Sequence, residues 1–491
     1  MSRLRFVTAF AALTALGLTL TAAATAEAKH PQQGYMYGKL TTRTGNTYTG
    51  LLRWNTEEAF WDDLFHSLKE SLPYAKYLES STGGSKQDIR SLEREISRTE
   101  KRDQELRRDY DRIVDRIAKV RRDQERESLR ARQLELIEER SRHAEERARL
   151  LEELANTRSQ SREKTITVLG GALKINWNDW SSSQRIFIAR FGDISKITVI
   201  GSEDAELTMR DGSTYTVSGY SNDVGGPVWV SDPSLGDIKV DWRKIDTIEF
   251  METPKNVSPS GYRLYGKLFA DSGEYEGFIQ WDSEECISTD KLDGDSEDGR
   301  LSIEMGNIRA IERKSRSSSR VSLKDGRTLN MEGTNDVDGS IRGIMVETEK
   351  YGRIKVPWDA FVKVEFSEVG NSGKGYADYA KQWALKGTVK DVRGVERSGR
   401  IVFDLDESES WEILNGSQFD IEFNIPFHLV KSITPRSRNS SLVELVNGES
   451  IRLESSQDVT SSNDGVLVFD KGEEQPTYIS WDEVEVITFT R

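Results

Sequence analysis

The residues best equipped for chemistry in this chain are its carboxylates. In the stretch Asp293-Gly294-Asp295-Ser296-Glu297-Asp298-Gly299, Asp293, Asp295 and Glu297, with Glu304 further on, take positions 1, 3, 5 and 12 of an EF-hand-like loop. That is the spacing at which oxygens converge on Ca²⁺. Asp298 stands where such a loop needs glycine, and the flanking residues read as strands, so an acidic surface turn competes with the metal reading. Glu57-Glu58 and Glu284-Glu285 each follow a tryptophan. Two carboxylates about 5–9 Å apart would suit glycoside hydrolysis. Neighbours on a strand point to opposite faces, however, and each pair is expected at a solvated strand end.

Other reactive constellations are missing from the sequence. His30, His66, His143 and His428 have no zinc-ligand spacing, and there is no H-E-x-x-H, G-x-S-x-G or phosphate-binding glycine loop. No catalytic residue and no cofactor is assigned. Cys286 is the only cysteine, so no disulfide forms within the chain; it aligns with Ala59 below and reads as a small buried packing residue.

Ten of the eleven tryptophans divide into two groups. Trp54, Trp281, Trp242, Trp358 and Trp481 recur at matching places in repeated blocks and are expected to anchor cores. Trp61, Trp177, Trp180, Trp229 and Trp411 are not repeated, and they are the candidates for contact with a glycan or a protein partner. The cluster Trp177-Asn178-Asp179-Trp180 is the sharpest of these.

Repeats define the elements that must position these residues. Tyr37-Gly38-Lys39-Leu40, Gly50 and Trp54 match Tyr265-Gly266-Lys267-Leu268, Gly277 and Trp281, and a diverged copy carries Gly387, Gly399 and Phe403. Each of these opening hairpins is followed by a strand, an Asp-Gly or Asn-Gly turn and a strand, beginning at Leu207, Val321 and Val443. Then come Asn222-Asp223-Val224, Asn335-Asp336-Val337 and Gln457-Asp458-Val459, which read as a shared structural corner, and a closing strand from Trp242, Trp358 or Trp481. The expected fold is therefore mainly β, with three tandem barrel or sandwich units. Unit 1 spans residues 31–253, unit 2 residues 260–369 and unit 3 residues 376–491, with a linker at Gly370–Gly375 and a short helix expected between Tyr376 and Trp383. The V-x-L-x-D-G pattern is loosely similar to Sm-like and SH3-like barrels, over about 30 residues of each unit.

Unit 1 is interrupted. Residues 86–163 contain no Gly or Pro, are dense in Arg and Glu, and place Ile89, Leu92, Ile96, Leu106, Tyr110, Ile113, Ile117 and Val120 on a coiled-coil seam. A single long helix and an antiparallel hairpin both fit. The hairpin returns the chain to the second half of the unit, whereas the absence of Gly or Pro at its tip argues against it. Its seams are thin, so it would need a partner or self-association.

The chain has 491 residues, a net charge of -14 and 31% charged residues, with a mean hydropathy of -0.62. That acidity argues against nucleic acid, which requires a basic footprint. Arg3 and Arg5, the apolar run Phe6–Ala23 and Ala26-Glu27-Ala28 read as a secretory signal cleaved near Ala28. With no later apolar span, the mature chain is expected in the periplasm or outside the cell. The expected function is a non-enzymatic envelope scaffold that presents β modules and a coiled-coil hairpin to a protein partner. A periplasmic adaptor similar to the membrane-fusion proteins of efflux systems, and a glycan-binding or carbohydrate-active protein, are the alternatives.

Overall fold

The computed structural model describes residues 30–71, 73–74, individual positions between 99 and 150, and residues 185–219, 223–470, 472 and 475–491. The expected signal segment, Trp177 and Trp180 lie outside the described residues.

Unit 1 contains β1 (Tyr37–Thr42), β2 (Thr47–Trp54), β3 (Leu64–Lys69), β4 (Arg185–Arg190), β5 (Ile194–Val199), β6 (Asp204–Met209), β7 (Thr214–Ser218), β8 (Val228–Asp232), β9 (Gly236–Val240) and β10 (Ile245–Phe250). They form one antiparallel sheet of ten strands in the order β4-β3-β7-β6-β5-β10-β1-β2-β8-β9. Units 2 and 3 repeat this pairing: first strand with tenth and second, second with eighth, third with fourth and seventh, fifth with tenth. The Asp-Gly and Asn-Gly turns join the sixth and seventh strands, with Gly212, Gly326 and Gly448 at φ 88, 95 and 90°. Only glycine adopts that backbone without strain, which is why the three turns were visible in the sequence.

Each sheet curls around its own interior. In unit 1 the core joins Phe65 of β3 and Phe187 of β4 to Val230 of β8 and Val240 of β9, strands from opposite ends of the sheet. Alternating strands with one apolar face produce this sandwich-like arrangement. Trp54, Trp242 and Phe191 meet at 5–6 Å ring separations inside it: Trp54–Phe191 at 5.1 Å and Trp54–Trp242 at 6.1 Å.

The expectation of three separate small barrels is corrected in one respect. The ninth strand of unit 2 (Gly352–Val356) pairs with the fourth strand of unit 3 (Ile421–Pro426), through Arg353↔Asn424 and Ile354↔Phe423. Units 2 and 3 therefore share a single sheet of twenty strands, and the described residues form two large antiparallel sheets instead of three Sm-like or SH3-like barrels. Ten strands in an open order leave two edges per unit, and pairing one edge with a neighbour satisfies its free N–H and C=O groups.

The coiled-coil hairpin over 86–163 is also corrected. Isolated positions there, such as Thr99, Leu106, Leu129, Leu136 and Leu150, have helical backbone, but no α-helical element stands among the described residues, whose named elements are strands and short 3-10 turns, and the rest of 86–163 lies outside them. The physical weakness is the thin seam: Gln124 and Glu127 fall where core residues are needed, and Ser141, Ala144 and Ala148 fill much of the second half. Partnership through a coiled coil goes with it. No helix among the described residues is long and apolar enough to cross a membrane.

The stretch read as a linker is a strap. Ser372 Oγ donates to the Pro31 carbonyl at 2.6 Å and accepts from Gly34 N–H at 2.9 Å. A Cβ at Gly34 would stand 2.0 Å from the Ser372 carbonyl oxygen, so this crossing requires glycine. A 3-10 turn at Tyr376–Tyr379 takes the place of the expected helix, and Tyr376 lies on Trp61 with 4.5 Å between rings and donates to the Ile194 carbonyl at 3.0 Å. The strap thus ties the start of unit 3 to unit 1.

Candidate functional site

The same loop follows the second strand in all three units, and it sets up a carboxylate corner. Asn55 and Thr56, Asp282 and Ser283, and Asp404 and Leu405 all have positive φ. After this reversal Glu58, Glu285 and Glu407 bridge back to Trp54, Trp281 and Phe403. The reversal turns the glutamate inward, where it is at most 9% exposed in every unit. A second acid closes each loop: Asp63, Asp290 and Glu412 each accept two backbone N–H bonds from it. A third, Asp223, Asp336 or Asp458, accepts a backbone N–H of the third strand, from His66, Asp293 or Asn415 at 2.6–2.7 Å. The Asn-Asp-Val and Gln-Asp-Val motifs are therefore the shared corner the sequence suggests.

The inward glutamates are left without cations. Oε2 of Glu58, Glu285 and Glu407 is buried and lacks a hydrogen-bond partner. Burial, followed by Asp336, pushes the Glu285 carboxyl up to about 9. Burial with Asp223 and Asp63 raises Glu58 well above the usual range, and burial with Asp406 and Asp458 does the same for Glu407. The loop-closing acids, by contrast, pair with cations of a neighbouring unit: Asp63 with Arg353 at 2.6 Å, Asp290 with Arg53 at 2.8 Å and Glu412 with Lys69 at 3.0 Å. Asp62 pairs with Arg263, whose guanidinium stacks 4.0 Å from both Phe60 and Phe278. These pairs draw the three units together.

Two of the corners face a common cleft of about 830 Å³. Unit 1 contributes Glu57, Glu58 and Asp223, and unit 3 contributes Asp404, Asp406, Glu407 and Asp458, while Arg342, Arg353 and Lys355 come from unit 2. Arg342 clamps Glu57 at 3.1 Å, Asp282 at 3.3 Å and Glu284 at 2.6 Å. In unit 3 the carboxylates of Asp404, Asp406 and Glu407 present oxygens that all lie within 4.8 Å of one another. A second cleft of about 750 Å³ between units 1 and 2 is lined by Tyr265, Tyr275, Phe278 and Tyr351 with Glu276 and Glu349.

The residues singled out in the sequence fall elsewhere. Asp293 and Asp295 lie on one strand of a hairpin, with Glu297 near its turn and Glu304 on the other strand, ion-paired to Lys291 at 2.8 Å. An extended hairpin spreads such residues along its length, and the four are not brought together. Trp61 and Trp411 are buried: Trp61 donates to Thr253 Oγ1 at 3.3 Å, and Trp411 packs on Phe187 and Tyr215 between units 1 and 3. Trp229 is half-buried under Lys239, whose ammonium is 5.5 Å from the ring. Cys286 packs with Ala59, Phe60, Tyr35 and Ile287 where units 1 and 2 meet, and burial holds its thiol protonated.

Sequence reasoning missed Asp404, Asp406 and Glu407. The available signal was the run Asp404-Leu405-Asp406-Glu407 directly after Phe403, at the position of Trp54 and Trp281.

No family model matches the chain, and no curated protein matches it. Among solved structures, a streptogramin B lyase is similar at 11% identity, over 61% of this chain and 84% of that one, with a TM-score of 0.13, a superposition that carries no argument about this chain.

Proposed function

We propose that this is an exported, non-enzymatic binding scaffold in which three β units are clamped around a polar cleft that holds a small charged or zwitterionic ligand. The cross-unit ion pairs carry the reading. Arg353–Asp63, Arg53–Asp290, Arg263–Asp62 and Lys69–Glu412 fix the units against one another, and the cleft beside them keeps acids on two walls and Arg342 and Lys355 on the third. A fixed, charge-patterned concavity favours recognition through preorganised polar contacts. Nucleophilic chemistry has little support, since the lone thiol is buried and protonated and burial pushes the His428 imidazole down to about 3. Export rests on the N-terminal arginines, the apolar run and the Ala26-Glu27-Ala28 site.

Screening the purified protein against peptide and glycan arrays tests this. A ligand whose affinity falls at least tenfold in Lys355→Ala, with no turnover, is the expected result. Hydrolysis of any array member, or binding indifferent to Lys355→Ala, overturns it. The glycan reading has one specific support, the Tyr265, Tyr275, Phe278 and Tyr351 lining of the second cleft. Glycan binding lost in Tyr275→Ala and kept in Lys355→Ala would move the ligand there.

A further inference from the structure

We infer that the unit 3 corner is a calcium site, with Asp404, Asp406 and Glu407 as its protein ligands. The three carboxylates come from one four-residue stretch, and the positive-φ pair Asp404–Leu405 folds their oxygens to within 4.8 Å of one another. Three oxygens within that pairwise limit share a centre no more than about 2.8 Å from each, so side-chain shifts of a few tenths of an ångström bring all three to Ca–O bonds of about 2.4 Å.

Two oxygens of these same carboxylates are buried and unsatisfied, an observation separate from the clustering. Asp406 Oδ1 and Glu407 Oε2 are buried and accept no hydrogen bond, although the Asp406 side chain is only 4% exposed and Glu407 only 8%. Leaving a buried carboxylate oxygen unpaired costs free energy that a metal bond removes. The other oxygens are already used in ways that orient the group. Asp404 accepts the Asp464 N–H and pairs with Arg185 at 3.3 Å, and Asp406 Oδ2 pairs with Lys69 at 3.2 Å.

Charge balance supports a divalent cation. Asp404, Asp406, Glu407, Glu412, Asp458 and Asp464 are six carboxylates, and Lys69 and Arg185 are the two cations paired with them. All-oxygen, carboxylate-rich donors select a hard ion. Several direct carboxylate ligands on nearly buried side chains favour Ca²⁺ over Mg²⁺, which retains much of its hydration shell. The equivalent residues elsewhere do not offer the same set. Unit 1 has Asn55 in place of Asp404, and in unit 2 Asp282 and Glu284 are occupied by Arg342.

The test is calorimetric titration of the chelator-stripped protein with CaCl₂ and, separately, MgCl₂, alongside thermal melts. The expected result is one Ca²⁺ per chain and a melting temperature that rises with Ca²⁺. Glu407→Gln weakens binding at least tenfold, Asp406→Asn/Glu407→Gln abolishes it, and Glu285→Gln leaves it unchanged. Glu407 Oε2 is unpaired and an amide keeps its shape, so metal-free Glu407→Gln is expected to melt no lower than the metal-free wild type, whereas the double variant also weakens the Asp406–Lys69 pair and melts lower. If the double variant does not fold, Glu407→Gln alone decides. Absence of binding up to about 5 mM Ca²⁺, above the weakest range of extracellular calcium modules, overturns the proposal. So does binding that survives Glu407→Gln, and Mg²⁺ binding without Ca²⁺ overturns the choice of ion.

Discussion

Units 2 and 3 build the same corner and neutralise it differently. In unit 2 the fully buried Asp282 and the exposed Glu284 are both held by Arg342, a side chain 43% exposed. In unit 3 the equivalent Asp406 meets Lys69, which arrives from unit 1, is 7% exposed, and spends its donors on Asp406 and Glu412 together. One corner is closed by a partly solvated arginine of its own unit that also reaches Glu57 of unit 1, and the other by a buried lysine that arrives from unit 1. The same loop is thus tied to unit 1 through a solvated side chain in one place and through a buried one in the other.

The largest effect should follow from breaking the buried joint. Lys69→Met leaves Asp406 and Glu412 without their cation, and removing one partner of a buried pair costs about 3–5 kcal/mol. Urea unfolding should show that loss, and a change under about 1 kcal/mol would mean that Lys69 is solvated and the contrast with Arg342 is false.

The second prediction concerns the glutamate that neither unit pairs. The Glu285 carboxyl is raised by burial and by Asp336 to about 9, against about 4.3 for an unperturbed glutamate. Between those values the native state holds a proton that the unfolded chain has released, so stability falls as pH rises. Below the lower value the contribution is fully present; it is lost as pH climbs through about 9. Glu285→Gln removes this dependence, and its advantage over wild type should grow between about pH 5.5 and about pH 8.5 by up to about 1.4 kcal/mol per unit. Parallel stability-versus-pH curves for the two proteins would show that Glu285 is ionised in the fold.

These corners explain what could and could not be read from the sequence. The glycines of the opening hairpins and the Asp-Gly and Asn-Gly turns follow local backbone rules, so the repeat and its hairpins were legible. The joining of units 2 and 3 depends on which edge strand meets which neighbour, and nothing local at Arg353 or Asn424 announces it. Glu58 and Glu285 were expected at a solvated strand end because strand alternation was applied one residue too far. Two positive-φ residues intervene, at Asn55–Thr56 and Asp282–Ser283, and they reverse the chain and bury the glutamate. The unrepeated tryptophans misled for a related reason. Trp61 and Trp411 are absent from the repeat because they pack between units, against the strap and unit 1, where symmetry no longer applies.

A smaller effect tests how each corner satisfies one carbonyl. Trp281 Nε1 donates to the Asp336 carbonyl at 2.8 Å. Unit 3 has Phe403 at that place, and Asn463 Nδ2 donates to the Asp458 carbonyl instead, at 3.0 Å. The residue of unit 2 corresponding to Asn463, five beyond the aspartate, is Ile341. Trp281→Phe should cost about 1–3 kcal/mol for the orphaned carbonyl and the lost ring. Adding Ile341→Asn should recover part of it, and additive losses in the double variant would show that the two solutions are not interchangeable.

The smallest energetic change carries the sharpest contrast. Arg342→Met removes exposed pairs to Glu57 and Glu284 that contribute about 0–1 kcal/mol each, and the buried Asp282 keeps its bonds from Asn335 and from the residue 342 N–H, so the melting curve should move little. The chemistry of the corner should nonetheless change. Asp282, Glu284 and Glu285 stand at the places of Asp404, Asp406 and Glu407, and with the guanidinium gone unit 2 holds three acids at the positions whose counterparts converge in unit 3. Calcium titration of Arg342→Met should then give two ions per chain instead of one, the new one weaker because Glu284 is a methylene longer than Asp406 and reaches further into solvent. One ion per chain in both proteins would place the difference between the corners in the loop geometry itself, and would remove Arg342 as the reason unit 2 is closed.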